Sequence, residues 1–320
     1  MPKISVIGAI NWDINLFVKR FPRIGEEVPV ERIMRVPGGK GANVAVAAAR
    51  LLGHGQVALI GCLGRDDIAE RQIKILKDEG VDVSGIKFTG SAESGQAYIL
   101  IDDEGRNIIN TLFGANLELK PEDLRCERIL SLLRDSSIIV LIDPILETLM
   151  AAASIAKEYG KIVMWDAGVR STLGAERLKE ILRNVDYLVI NEVEVKNLTG
   201  ETNPLEAWRI LSEINQQITL ILKLGERGCS MINRRIMASV PPVNLEELGL
   251  KVVNTVGCGD SFLGAFAASK AQGLGDIESL ERANLAGALK ATRPETRGSP
   301  SREMLERYLK FRAKARIIRR

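Results

Sequence analysis

The chain has 320 residues, 46% of them apolar and 27% charged, with a net charge of +3. That is ample material for a buried core, and the small charge excess gives no indication of a nucleic-acid partner. The four cysteines (Cys62, Cys126, Cys229, Cys258) lack metal-ligand spacing and the only histidine is His54, so neither a zinc site nor a Cys/His nucleophile pair is indicated.

The start, Met1-Pro2-Lys3, leads into an apolar strand too short for a leader, and no apolar run reaches the ~18 residues of a membrane span. A cytoplasmic protein with no membrane partner is the expectation. Strand and helix patterns alternate throughout with no Pro/Ser-rich linker, which favours one main domain over 1–320.

The first predicted strand, Ile4 to Ile10, is a continuous apolar run suited to burial on both faces of a parallel sheet. It ends in Asn11-Trp12-Asp13. Alternation sends Asn11 and Asp13 to one side of the chain, at the strand end where open α/β sheets bind ligands. They could hold hydroxyls of one polyol; a simple Asx turn accounts for them equally well. Trp12 is either core or a stacking surface for a base. From Asn15 to Val36 the pattern is extended, with Pro22, Gly25 and Pro29 ruling out a long helix. Later, Gln96 to Ile101 and Asn107 to Phe113 flank Asp103-Glu104-Gly105-Arg106 as a hairpin does. These excursions, 14–37 and 95–114, are expected to form a small second sheet covering a site as a lid.

Between them, Pro37-Gly38-Gly39-Lys40-Gly41-Ala42-Asn43 precedes a strong helix former closed by Gly53. Glycines before a helix place a polar ligand at its N-terminus, although the spacing is not that of a Walker A loop. Lys40 and Asn43 point to the group that receives a phosphate; a plain glycine turn is the competing explanation. Further strands are predicted at Val57 to Ile60, Ile138 to Ile142, Ile162 to Trp165, Tyr187 to Ile190 and Thr219 to Leu224. Polar groups follow three of them: Asp143, Asp166 and Asn191-Glu192-Val193-Glu194. Asn191 and Glu194 share a helix face and can orient Mg²⁺ and its waters, or can form a simple capping arrangement. Lys223-Leu224-Gly225-Glu226-Arg227-Gly228 is a glycine turn suited to the edge of a nucleotide pocket. The basic end (Arg307, Lys310, Arg312, Lys314, Arg316, Arg319, Arg320) reads as a solvated final helix whose cations suit its dipole.

The most informative stretch is Val252-Val253-Asn254-Thr255-Val256-Gly257-Cys258-Gly259-Asp260, running on into Ser261 to Phe266. It predicts a strand end, a glycine turn and a helix opened by Asp260. The amides of Gly257, Cys258 and Gly259 suit an anion. Asp260 would repel that anion, which fits a base taking a proton from an attacking hydroxyl better than a binder; a capping role is equally open on this stretch alone.

Gly38 to Gly53 and Asn254 to Phe266 resemble the two signature stretches of the ribokinase-like, or PfkB, family of carbohydrate and nucleoside kinases. The likeness continues through Asn11-x-Asp13, Gly25-Glu26, Asn191-x-x-Glu194, Lys223-x-Gly225-x-x-Gly228, and Thr292-Arg293 to Gly298-Ser299-Pro300. The resemblance implies a three-layer α/β/α fold with a mostly parallel sheet and a β-sheet lid, often a dimerisation surface, and ATP-dependent phosphorylation of a sugar hydroxyl with Mg²⁺. It implies Asp260 as catalytic base, Gly257, Cys258 and Gly259 as anion hole, and Asp13, Gly39, Lys40 and Asn43 as acceptor ligands. Asn191 and Glu194 would serve Mg²⁺ and phosphate, while Lys223, Gly225, Gly228 and Asn284 would flank the nucleotide. A homodimer through the lid follows from the same resemblance.

Asn-x-Asp with Gly-Gly-Lys-Gly-Ala-Asn is most similar to ribokinase and implies ribose as acceptor, with a nucleoside or ribose 1-phosphate as alternatives and a non-catalytic sugar-binding regulator as a remote one. Four positions depart from that pattern. Val44 replaces the usual Gln, and Asp143 replaces a sugar-binding Glu. Asn254 replaces an Asp that helps ligate a monovalent cation, which implies weaker K⁺ binding. Lys223 replaces the common Thr and bears on the choice between ATP and ADP.

Overall fold

The continuous apolar runs of the sequence become the centre of one sheet. The computed structural model describes residues 1–143 and 145–319. Its strands are, in chain order, β1 (Ile4–Gly8), β2 (Asn11–Phe17), β3 (Arg32–Gly38), β4 (Val57–Leu63), β5 (Ile86–Phe88), β6 (Gly95–Ile101), β7 (Asn107–Leu112), β8 (Ile138–Ile142), β9 (Ile162–Asp166), β10 (Tyr187–Asn191), β11 (Thr219–Lys223), β12 (Cys229–Ile232), β13 (Ile236–Val240) and β14 (Arg316–Arg319). A ten-stranded sheet is ordered β14-β13-β12-β11-β10-β9-β8-β1-β4-β5, and a four-stranded sheet is ordered β3-β2-β6-β7. From β5 to β11 the large sheet is parallel, with Val6 opposite both Leu59 and Val140. From β11 to β14 it is antiparallel.

Alternation along β1 feeds two cores. Ile4 and Val6 join Leu51, Phe266 and Leu285 of the helices Lys40–Leu52, Cys258–Ala271 and Asp276–Ala291. Ile7 joins Leu133, Leu149 and Trp208 on the opposite face. Helices on both sides of a largely parallel sheet make the three-layer α/β/α arrangement that the family resemblance implies. Among the described residues no helix is long and apolar enough to cross a membrane.

The small sheet forms from the two predicted excursions. β6 and β7 pair antiparallel around the Asp102–Arg106 turn, and β2 joins β6 in parallel with Asp13 opposite Ala97. The first strand stops at Gly8 rather than Ile10, and Asn11 and Asp13 lie on β2, at the root of the small sheet.

Two predicted elements are corrected. Val252 and Val253 do not end a strand; residues 251–255 have no regular structure, and the two valines are 61% and 59% exposed. Their segment is tied to a helix end, because the Ala291 carbonyl accepts the Val253 and Asn254 N–H groups. The basic end is not one solvated helix either. A helix runs from Arg302 to Tyr308, and the chain then extends into β14 along β13. The reason is Glu281, which accepts from Arg312 Nε, Lys314 Nζ and the Ala315 N–H and pulls the chain off the helical path. Arg320 lies outside the described residues.

Candidate active site

Two helices start side by side and cross closely. A Cβ at Gly264 would stand 2.6 Å from Ala47 Cβ and 2.8 Å from the Val44 carbonyl, so only glycine lets the Cys258–Ala271 helix lie this near the alanine-rich Lys40–Leu52 helix. The close crossing brings their first turns within side-chain reach. Asn43 Nδ2 donates to Asp260 Oδ2 at 2.8 Å, and Asn43 Oδ1 accepts from Arg297 Nε at 3.1 Å. A carboxylate can only accept and a guanidinium can only donate, so these two partners fix the orientation of the amide.

Asp260 is the third residue of its helix, which starts at Cys258 rather than at Asp260 itself. The N-cap is Gly257 at φ 86°, a conformation that favours glycine, and no side chain caps this end. The capping reading of Asp260 therefore gives way: its carboxyl turns to Asn43. The Cys258 N–H donates to the Thr255 carbonyl at 3.2 Å, whereas no acceptor among the described residues takes the Gly257 or Gly259 N–H.

Asp166, at the end of β9, organises the cations. Lys223 Nζ, at the end of β11, donates to Asp166 Oδ2 at 2.6 Å, and Lys40 Nζ stands 3.7 Å from Asp166 Oδ1. Gly168 N–H donates to Asp166 Oδ1 at 3.1 Å. A Cβ at Gly259 would be 3.4 Å from Lys223 Nζ, and one at Gly168 would be 3.0 Å from Lys40 Nζ and 3.7 Å from both carboxyl oxygens of Asp143. Both ammonium groups thus border the space in front of Asp260 and Asp143. Asp143 holds φ 28°, and its buried Oδ1 has no hydrogen-bond partner among the described residues.

Asp13 is buried on β2, and Asn11 Oδ1 accepts from Asn116 Nδ2 at 2.8 Å. Gly39, at φ 88°, presses against the Asn11 N–H, leaving no room for a side chain. Trp12 is buried on the opposite face of the strand, as core. Arg297 lies behind Asp13, donating to the Gly38 carbonyl at 2.7 Å and to Gln72 Oε1 at 3.4 Å.

These charges shift one another. Burial raises the Asp260 carboxyl above the ordinary range, while Lys40, the Asn43 hydrogen bond and Lys223 oppose it and Asp166 adds to it. Burial likewise pushes Asp13 up to about 6, against the pull of Arg297 and with repulsion from Asp260. Asp143 is raised by burial, with Lys40 opposing. Asp166 would also rise on burial, but Lys223 and Lys40 hold it below the ordinary value. Lys40 is raised by Asp166 against the effect of burial, with Asp143 and Asp260 adding.

The remaining predicted residues lie on the other side of the lysines. Asn191 and Glu194 form a reciprocal capping box, Glu194 Oε2 accepting from the Asn191 N–H at 2.8 Å and Asn191 Oδ1 from the Glu194 N–H at 2.9 Å. Burial, with Asp166 adding, raises the Glu194 carboxyl, so an added cation would relieve it. Among the described residues no group of three or more His, Cys, Asp and Glu side chains is arranged to hold a metal alone. Gly225 and Gly228 turn the chain after β11; Gly228 packs on the Val240 carbonyl, and Asn284 Nδ2 donates to the Pro241 carbonyl at 2.9 Å. Asn254 uses both ends of its amide locally, accepting from the Val256 N–H and donating to the Pro294 carbonyl.

Asp166 and Arg297 are missing from the site expected from sequence. Asp166 carried a signal, a carboxylate after a strand. Arg297 carried none, since its partners Asn43 and Gly38 lie more than 250 positions away.

The pfkB family carbohydrate kinase profile matches residues 1–303. An ATP-dependent ribose-1-phosphate kinase from Halopiger xanaduensis is 30% identical, over 98% of this chain and 99% of that protein. A bifunctional ribokinase/ribose-5-phosphate isomerase A from Fructilactobacillus sanfranciscensis is 31% identical; 83% of this chain is matched, and it spans about half (48%) of that protein's length. The crystal structure of a ribokinase from Thermotoga maritima superposes with a TM-score of 0.84 and 31% identity, over 97% of this chain and 100% of that one. With a profile that covers nearly the whole chain, an end-to-end relative and a matching fold, the chain belongs to the pfkB family of carbohydrate kinases and is a phosphotransferase acting on an alcohol group.

Proposed function

We propose that this kinase transfers the terminal phosphoryl of ATP, with Mg²⁺, to a hydroxyl of ribose or a ribose derivative, with Asp260 as the general base. The observation that carries the reading is the setting of Asp260. It accepts from Asn43 just after a glycine turn whose Gly257 and Gly259 N–H groups meet no acceptor among the described residues, while Lys40 and Lys223 border the same space. A raised carboxyl is suited to accept a proton near neutral pH.

Asn11, Asp13, Gly39, Lys40, Asn43 and Asp143 form the acceptor site. The unpartnered Oδ1 of Asp143 supports this, since a buried carboxylate oxygen without a partner is costly and a sugar hydroxyl would satisfy it. As the hydroxyl oxygen attacks in line, its proton passes to Asp260. The Gly257 and Gly259 amides and the Lys223 ammonium face the charge gathering on the moving phosphoryl, and Cys258 keeps the turn closed. Glu194, placed by Asn191, would help hold Mg²⁺, which when bound with the nucleotide would supply shielding of phosphate charge. Asn191, Lys223, Gly225, Gly228 and Asn284 border the nucleotide. ATP rather than ADP is supported by the Halopiger relative. Asn254, its amide committed to Val256 and Pro294, is poorly placed to bind K⁺.

The small sheet serves as a lid on a single kinase domain. Its face carrying the exposed Ile33, Tyr98, Ile108 and Leu112 is the surface for a homodimer, which sedimentation over a range of concentrations tests.

Ribose 1-phosphate is the second reading, favoured by the relative that matches end to end. A coupled assay with Mg²⁺ and ATP or ADP, against ribose, deoxyribose, fructose, fructose 6-phosphate, ribose 1-phosphate and nucleosides, separates the two. Strong preference for fructose or fructose 6-phosphate would overturn both, and no turnover with any acceptor would favour a sugar-binding regulator. Because Trp12 is core, base stacking has no support here and nucleosides are expected to be poor acceptors.

A further inference from the structure

Lys290 is a charged group that the proposed transfer leaves unused. It lies in the last turn of the Asp276–Ala291 helix and is 0% exposed. Its Nζ donates to the Asn254 carbonyl at 2.9 Å, and among the described residues no other acceptor takes it. A Cβ at Gly257 would stand 3.6 Å from Lys290 Cε. The ammonium therefore lies directly behind residues 254–257, the turn that leads into the Asp260 helix.

A lysine buried at this depth is costly to keep charged unless its surroundings favour the cation. Two features do so: the carbonyl end of its own helix, which carries partial negative charge, and the Asn254 carbonyl. Burial pulls the ammonium below the ordinary lysine value, and Cys258, Glu295 and Asp260 pull it back up. The turn is also anchored by the Asn254 amide, bonded to Val256 and Pro294, and by the Ala291 carbonyl, which takes the Val253 and Asn254 N–H groups. Both fix shape without adding charge. Lys290 does both, on the inner side of the turn whose Gly257 and Gly259 amides face the phosphoryl.

We infer that Lys290 is a built-in monovalent cation for the phosphoryl site, anchoring the 254–257 turn and placing fixed positive charge behind the anion-binding amides. The charge comes from the chain's own helix, so turnover needs no K⁺ or other dissolved monovalent cation. Lys290 touches no substrate; it is a positioning residue, and the inference rests on the phosphoryl-transfer reading of the Gly257–Asp260 turn.

Lys290→Met nearly keeps the length and removes the charge, while Lys290→Ala removes the outer methylenes together with the ammonium and leaves a space that a short alkylammonium ion fills. Lys290→Met is expected to fold and bind ADP normally, with kcat down about 10–100-fold and acceptor KM within about twofold of wild type. Lys290→Ala should regain turnover with ethylammonium or propylammonium chloride and not with tetramethylammonium chloride, and wild-type turnover should be unchanged when KCl is replaced by tetramethylammonium chloride. A folded Lys290→Met with wild-type kcat, or a loss in Lys290→Ala that no small ammonium ion restores, overturns the inference. So does wild-type activity that disappears on K⁺ withdrawal, and that measurement decides alone should the variants not fold. Failure of the transfer reading itself shows up separately, as near-normal turnover in Asp260→Asn.

Discussion

Asn43 holds Asp260 through a 2.8 Å hydrogen bond between residues 217 positions apart, and the same amide ties Asp260 to Arg297. The bond favours the ionised form of a carboxyl that burial pushes the other way. Asp260→Asn keeps the shape and removes the proposed base. Steady-state kinetics should show kcat lower by ~10²–10⁴-fold with nucleotide affinity retained, and near-normal turnover would remove Asp260 from the mechanism.

Replacing Asn43 by Asp keeps an acceptor for Arg297 but sets a second carboxylate against Asp260. Like charges at hydrogen-bond distance cannot both ionise freely, so the acid limb of the kcat–pH profile should move up by about one unit or more. A limb that stays in place would show that Asn43 does not set the ionisation of the base.

Asp13, raised to about 6 by burial, should impose its own pH dependence. If its carboxylate form receives the acceptor, kcat/KM for the acceptor falls as pH drops through about 6 and is level above it. In Asp13→Ala, acceptor KM should rise far more than nucleotide KM and this limb should vanish. An unchanged acceptor KM would take Asp13 out of the site.

Asp166 is the sole carboxylate hydrogen-bonded to the largely buried Lys223 among the described residues. Truncating one member of a buried pair strands the other, so Asp166→Ala should cost about 3–5 kcal/mol in urea unfolding. Adding Lys223→Met should recover a good part of that loss. A double variant as unstable as the single one would mean that the cost lies elsewhere than in the stranded ammonium.

The chain end is fastened by Glu281, whose carboxyl would rise on burial but is held below the ordinary value by the Ala315 N–H, Lys314 and Arg312. A depressed carboxyl stabilises above its unfolded pKa and loses that contribution as pH falls through the lower folded value. Glu281→Gln should therefore lower stability by about 1–2 kcal/mol at neutral pH, with the gap to wild type closing in acid. A pH-independent gap would assign the loss to packing.

The parallel strands were legible because burial on both faces demands continuous apolar runs such as Ile138 to Ile142, and the glycine turns because only glycine fits them. Asp260 stood out as a carboxylate in a turn otherwise suited to an anion. The failures came where neighbours distant in sequence decide the outcome. Val252-Val253 has the composition of a strand, yet its N–H groups find the Ala291 carbonyl. The basic end has helix-forming composition, yet Glu281 draws it out beside β13. Arg297 was invisible because an isolated arginine says nothing about a partner 254 positions earlier. Lys290 carries no signal in the sequence; its complete burial is a property of the packed helices alone.

β2 begins at Asn11 and carries Asp13, whereas Lys40 and Asn43 sit on a helix packed into the body. On the proposed assignment, with the small sheet as lid, the acceptor site is thus divided between the lid and the body. A sugar bridging both halves is then itself the latch. Water, too small to bridge them, cannot draw the halves together, so wasteful hydrolysis of the nucleotide is discouraged by the architecture before any chemistry starts.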